Sequence, residues 1–270
     1  MTRPELDIAI AWARAEGWNP GLFEADSFFA TDPNGFFIGD ADGEPVACIS
    51  GVAYDGAYGF MGFYIVKPEY RGSGHGLRIW NAALDYLGAR TIGADGVPAM
   101  LAKYETFGFQ IAYRNVRYRG FGGGSEPDGL VSLDALSFGD LAAYDAGHVP
   151  APRTTFLEHW VRQRGAVVRI AVEGSRIVGF GMLRVCKDAY KVGPLFADSP
   201  GIAANIFTAL RANAQGSTIF LDTPEPNAAA VALAKANDMT PAFETSRIYR
   251  GPAPDLPLDR IYGVTSFELG

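Results

Sequence analysis

Cysteine is scarce. The chain of 270 residues has two, Cys48 and Cys186, with no metal-ligand spacing beside either. They are read as separate buried thiols, so neither a disulfide framework nor a metal site is expected, and a reducing compartment is the simpler setting. Long apolar runs are missing as well. No stretch reaches membrane-spanning length, and the opening "MTRPELDIAIAWARAEGW" is broken by Glu5, Asp7, Arg14 and Glu16, which rules out the apolar core of a signal peptide. The chain is therefore read as cytoplasmic, with no membrane partner. An excess of positive charge is also lacking. The formal net charge is −7, which argues against nucleic acid and for neutral or cationic small partners.

What is present is enough apolar material for a real core. Hydrophobic residues make up 48% and charged residues 20%, and the length suits two domains of about 130 residues each. One unit is written twice. "GFFIGDADGEPVACISGV" reads as strand, Asp42-Gly43 turn and strand, and "AVVRIAVEGSRIVGFGMLR" repeats that shape around Glu173-Gly174. Gly43 and Gly174 lie 131 positions apart, as do Gly120 and Gly251, which end "RNVRYRG" and "TSRIYRG". Between these landmarks "TIGADG" (91–96) and "TIFLDT" (218–223) take the same place as short strands, offset by 127. Each half thus mixes an early helix, a hairpin, then strand, helix, strand, helix and strand, which predicts an α/β (mixed α+β) architecture. The boundaries expected are 1–122 for the first unit, 123–129 for a Gly-, Ser- and Pro-rich linker, and 130–270 for the second. A late C-terminal strand, "IYGVTSF", is placed to pair across the two halves.

The most informative stretch is "FYIVKPEYRGSGHGLRIW", residues 63–80. "FYIV" is a buried-strand run, and Pro68 stops its ladder by removing a donor. Leu77, Ile79, Trp80, Ala83, Leu84 and Leu87 then mark an amphipathic helix, with Trp80 on its core stripe. Gly72, Gly74 and Gly76 in the turn between them permit unusual dihedrals and close approach of a ligand to the backbone. Free N–H groups and the positive end of a helix dipole then face an anion, and Arg71 adds a donor suited to phosphate oxygens. A P-loop needs Gly-Lys-Ser/Thr where this chain has His75-Gly76-Leu77, and a dinucleotide fingerprint needs its last glycine one place later.

The segment resembles the acetyl-CoA motif of the GNAT superfamily of N-acetyltransferases, Val-x-Pro-x-x-Arg/Gln-Gly-x-Gly-x-Gly/Ala. Val66, Pro68, Arg71, Gly72, Gly74 and Gly76 all match it. The resemblance implies that backbone amides from Arg71 through Ser73 and His75 to Gly76 hold the CoA pyrophosphate. It also implies that the strand around Ile65 and Val66 pairs with the pantetheine arm. "LAKYETFGF" (101–109) resembles the family's Tyr-x-x-x-Gly-Phe signature, which makes Tyr104 the proton donor to the departing thiolate, with Gly108 and Phe109 completing the pattern. Many members have an asparagine seven places earlier, where this chain has Val97.

The second half departs further. It has Asn227 at that place but Ala234 for the tyrosine, Asp238-Met239 for Gly-Phe, and an ordinary helix start at Asp198, Ser199 and Pro200 instead of the glycine turn. It reads as a degenerate GNAT-like unit, so the tandem chain is expected to bind one acetyl-CoA, in its first half. For the acceptor, "EGWNPGLFEADSFFATDP" (16–33) resembles the acceptor-binding segment of a tandem subfamily, and Trp18, Asn19, Glu24 and Asp26 are the candidates there. Asp222 and Glu225 join them if the halves share one cleft; Tyr58 and Tyr64 depend on strand phase. His75 is read as facing solvent or CoA, and His148 and His159 as structural. No side chain announces itself as the base. The leading reading is an acetyl-CoA-dependent N-acetyltransferase acting on the primary amine of a small molecule by direct attack. The alternative is a non-catalytic acyl-CoA-binding or regulatory module.

Overall fold

The computed structural model describes residues 1–270. The first half runs α1 (Arg3–Ala15), α2 (Glu24–Thr31), β1 (Phe36–Ala41), β2 (Glu44–Ala53), β3 (Tyr58–Val66), α3 (His75–Leu87), β4 (Thr91–Gly96), α4 (Leu101–Glu105) and β5 (Phe109–Phe121). After the two-residue strand β6 (Leu130–Val131), the second half repeats that order. It comprises α5 (Phe138–Ala146), α6 (Thr154–Val161), β7 (Val167–Glu173), β8 (Arg176–Val185), β9 (Tyr190–Ala197), α7 (Pro200–Ala212), β10 (Thr218–Pro224), α8 (Ala228–Ala236), β11 (Thr240–Arg250) and β12 (Ile261–Gly263). No helix is long and apolar enough to cross a membrane.

The halves do not keep separate sheets. All the strands belong to one, in the order β1-β2-β3-β4-β11-β5-β10-β9-β8-β7-β6, with β12 on β9. Each half lends its long late strand to the other. β11 runs antiparallel between β4 and β5, in register from Thr240↔Arg119 to Arg250↔Phe109, and β5 pairs in turn with β10 from Thr218↔Phe121. Side-chain burial follows the exchange. Val116 and Tyr118 of β5 pack among Leu183, Leu210 and Leu221 of the second half, whereas Ile248 of β11 packs among Met61, Trp80 and Ile92 of the first. Burial there contributes about 1.5–3 kcal/mol for each large apolar side chain, so the exchanged strands tie the two cores together. A third cluster of 25 buried residues also draws on both halves. Within it Phe28 of α2 stacks on Trp160 of α6 with centroids 5.7 Å apart.

The crossing expected of the late strand is therefore made by β5 and β11 instead. β12 stays in its own half, pairing Ile261↔Phe196 and Gly263↔Leu195. The pairing of β9 with β10 runs only from Ile219↔Tyr190 to Leu221↔Val192, and β12 fills the gap where they part, with the Val264 amide donating to the Asp222 carbonyl at 2.8 Å. Asn227, which caps α8, anchors the approach to β12 by donating from Nδ2 to the carbonyls of Asp259 and Ile261.

Candidate active site

In the first half the corresponding gap stays open. β3 and β4 pair in parallel only from Tyr58↔Thr91 to Met61↔Ala94. Just beyond, the register of β3 against β2 gains a residue between Ser50↔Gly62 and Cys48↔Ile65, and Phe63 takes a φ of 49°. A bulge of this kind bends a strand, and β3 leaves β4. The two strands then line a cavity of about 670 Å³, well within the size range of small-ligand sites.

One end of the cavity is the glycine turn. Gly72 and Gly74 have φ of 83° and 87°, with open space where a Cβ would stand. Gly76 is helical, and its missing side chain makes room for the Tyr64 hydroxyl, 2.6 Å from where a Cβ would lie. The amides of Gly72, Ser73, Gly74, His75, Gly76 and Leu77 find no acceptor in the protein, and Gly74 offers α3 no side-chain cap. At α7 the Ser199 side chain accepts from the Ile202 amide. Arg71 differs from its sequence expectation. Its amide is spent on the Pro68 carbonyl at 3.2 Å, and its guanidinium donates to the Val66 carbonyl at 2.9 Å and to Glu16 at 2.6 Å, so it braces the turn against β3 and the end of α1. Ser73 closes the turn by donating from Oγ to the Tyr70 carbonyl at 2.6 Å, and the His75 Nδ1 lies 2.9 Å from Arg78. Gly72, Gly74, Gly76, Ile65, Val66 and Arg71 line the cavity; Ser73 and His75 are not among its lining residues. The free amides and the unpaired edge of β3 together form a cradle that fits a pyrophosphate and an extended amide-bearing arm.

Tyr104 lines the same cavity, 9% exposed. Trp80 stacks on it with centroids 5.2 Å apart and planes 12° from parallel, and Gly96 of β4 lies so close that an added Cβ would stand 3.0 Å from the ring. Trp80 is thus both core residue and cavity wall. Burial, and secondarily the neighbouring Tyr64 hydroxyl, push the Tyr104 phenol well above its ordinary range, so it stays protonated and available as a donor.

The far end is built by both halves: Trp18, Arg117 of β5, Phe243 and Thr245 of β11, and Phe267 and Glu268 after β12. Of Trp18, Asn19, Glu24, Asp26 and Asp222, only Trp18 reaches it. Its carbonyl is fixed by Arg117 at 2.9 Å and Lys191 at 3.1 Å. Glu24 is 0% exposed and bonded to Arg184 at 2.5 Å, because its helix packs over the second half. Asp26 is on the surface with Arg3 at 2.6 Å. Asn19 takes a left-handed turn with φ of 50°, outside the lining. Asp222 is consumed by Arg117, at 2.6 and 2.7 Å, and that ion pair holds its carboxyl below the usual range although burial alone would raise it. Tyr64 lines the cavity; Tyr58 is buried elsewhere, beside Phe60 and Tyr249. His148 is buried in a stack on Phe196, His159 is exposed on α6, and both cysteines are buried free thiols. No group of three or more His, Cys, Asp or Glu is placed to hold a metal. Glu268, Phe267 and Phe243 carry no local motif: the strand exchange brings Phe243 here, and the packing of the segment after β12 against β3 brings Phe267 and Glu268.

Fold and cleft together define an acyl-CoA-dependent transferase built from two copies of one unit. Comparison with known proteins agrees. Residues 6–109 match the acetyltransferase (GNAT) family and residues 141–263 an acetyltransferase (GNAT) domain. The chain is 31% identical over 269 residues to a holothin acyltransferase of Pseudoalteromonas sp. (strain SANK 73390), covering 98% of this chain and 92% of that protein. It is 27% identical over 190 residues to the uncharacterized N-acetyltransferase YitH of Bacillus subtilis, 67% of each chain. Among solved structures, a putative acetyltransferase from Pyrococcus horikoshii superposes with a TM-score of 0.80 at 24% identity, over 91% of this chain and 83% of that one. A tandem GNAT protein from the clavulanic acid biosynthesis pathway superposes at 0.63 with 15% identity, over 94% and 98%. The chain belongs to the GNAT family as a tandem-domain acyltransferase.

Proposed function

We propose that the protein transfers the acetyl group of acetyl-CoA to the primary amine of a small acceptor by direct attack. The observation that carries this reading is the uncapped turn, whose amides from Gly72 to Leu77 are free and whose Gly72, Gly74, Gly76 and Leu77 line the same cavity as the Tyr104 phenol. In this reading the amides of Gly72 to Gly76 hold the pyrophosphate, and the free edge of β3 at Ile65 and Val66 carries the pantetheine arm. The cosubstrate supplies a thioester carbonyl as electrophile. Tyr104 gives its proton to the sulfur as the C–S bond breaks, and Trp18 and the aromatic residues of the far end bound the acceptor. The size of the cavity favours a small acceptor, and so does the relative whose name designates holothin as the molecule acylated. Two unpaired buried thiols favour the reducing cytoplasm as the place of action.

Calorimetry with acetyl-CoA, followed by CoA-release assays over a set of primary amines, tests the reading. Saturable binding with amine-dependent release is expected. Tight binding without turnover of any amine would instead leave a binding module.

A further inference from the structure

The fold leaves one buried carboxylate without a partner. Besides Asp95, whose buried carboxylate Arg247 holds, five acids are buried. Glu24 is bonded to Arg184, Asp145 to Arg153, Asp222 to Arg117, and Asp32 to Tyr86 and the Ala53 amide. Glu268 is 3% exposed, accepts no hydrogen bond, and lines the far end of the cavity. Its position is built. The Glu268 carbonyl packs so tightly on β3 that a Cβ on Gly62 would stand 2.1 Å from it. Leu269 is in the core, its amide donates to Ser266 Oγ at 3.0 Å, and its carbonyl accepts from Tyr54 at 2.6 Å. The chain segment that closes the second half's cleft thus goes on to deliver a carboxylate into the first half's cleft.

We propose that the Glu268 carboxylate receives the acceptor amine and takes its proton, an inference that rests on the acyl-transfer reading above. An ammonium group R–NH₃⁺ entering from the far end gives one proton to the carboxylate and becomes R–NH₂. Its lone pair forms the C–N bond with the thioester carbonyl. The C–S bond then breaks, the sulfur takes the Tyr104 proton, and the nitrogen's surplus proton returns to the tyrosinate. Amide and CoA thiol leave, and Glu268 releases its proton to solvent.

The charged surroundings suit that task. Lys191 on β9, Arg117 on β5 and Arg184 on β8 face Glu268 with Glu24 on α2, but Arg117 and Arg184 are already bound to Asp222 and Glu24. Burial raises the Glu268 carboxyl above its ordinary range and outweighs the pull of Lys191 and Arg117, which moves it toward the range of an effective base. Nothing in the protein satisfies it, so an incoming ammonium supplies the hydrogen bond it lacks.

Glu268→Gln keeps the shape and removes the charge. Acetyl-CoA affinity is measured first by calorimetry and is expected to stay within about twofold. With ethanolamine, benzylamine, tyramine and tryptamine as probes, kcat/KM of the best substrate is expected to fall by about 10² or more, in line with loss of a proton-transfer group. The acidic limb of its pH profile is expected to disappear, and Glu268→Asp to restore part of both. Independently of turnover, a difference infrared titration should show one carboxyl band with a raised midpoint in the wild type and none in Glu268→Gln. An unchanged rate and pH profile in Glu268→Gln, or no raised carboxyl, overturns this proposal alone. A wild-type protein that fails to bind acetyl-CoA, or acylates none of the amines, overturns the underlying reading together with it.

Discussion

Arg247 of β11 holds Asp95 of β4 with two hydrogen bonds, 3.0 Å from Nε and 2.8 Å from an outer nitrogen. Arg117 of β5 holds Asp222 of β10 in the same forked way. Asp95 and Asp222 are separated by 127 positions, the offset of their strands. Each half therefore presents an acid from the same short strand, and each acid is answered by an arginine on the strand the other half has lent. Both pairs are almost wholly buried. Removing one partner leaves an uncompensated charge, at a cost of about 3–5 kcal/mol. Arg247→Met should lower the stability read from urea denaturation by that amount, and the double variant Asp95→Leu/Arg247→Met should recover much of it. A single variant as stable as wild type would mean the pair does not hold the exchanged strands.

The two halves differ at the one place where the ligand is expected. The gap between β3 and β4 is open under an uncapped helix, while that between β9 and β10 is filled by β12 beneath a helix capped by Ser199. Calorimetry should therefore give one acetyl-CoA per chain, and two equivalent sites would refute this. Gly74→Glu should abolish binding. It adds negative charge where the anion is expected, and it forces a side chain into a left-handed conformation costing about 1–2 kcal/mol. Unchanged affinity would show that the turn has another task.

The glycine turn, the Tyr104 signature and the doubled architecture were legible in the sequence because each is local: dihedral demands, helix periodicity and a fixed offset are written in neighbouring residues. The fusion of the sheets was not. Nothing in "NVRYRG" or "RIYRG" says which half a strand will join, since both options bury the same apolar residues in similar surroundings. The acceptor end was only partly legible for the same reason. Glu24 and Asp222 are acids in suggestive places, but arginines far away in sequence consume them, and Glu268 reaches the cavity only through the packing of its segment on Gly62.

Tyr104 owes its position to two neighbours, Trp80 stacked on one side and Gly96 where a side chain would collide. Tyr104→Phe should lower kcat by about 10²–10⁴ as the donor is lost and leave acetyl-CoA affinity nearly unchanged. Gly96→Val keeps the hydroxyl but pushes the ring away, and a displacement near 1 Å costs about 10² in rate. Steady-state kinetics of the two variants distinguish the roles. If Gly96→Val reacts normally while Tyr104→Phe does not, the tyrosine is less tightly positioned than its packing implies.

Glu268 should also leave a mark on stability. Burial raises its folded pKa above the ordinary value of 4.5, so the native state binds more protons than the unfolded chain as pH rises from that value. Stability then falls with pH across that window and stays lowered above it. Asp222 behaves oppositely: its folded pKa lies below 3.8, so the stability it contributes is present above that value and lost in acid. Glu268→Gln removes the first effect and keeps the second. The variant should be more stable than wild type at neutral pH, the advantage should shrink to nothing below about pH 4, and both proteins should share the acid-side loss. Urea midpoints measured at several pH values check this. A variant no more stable than wild type at pH 7 would mean the carboxylate is already satisfied in the folded protein, and a gain in stability matched by a loss of rate is the outcome the geometry requires.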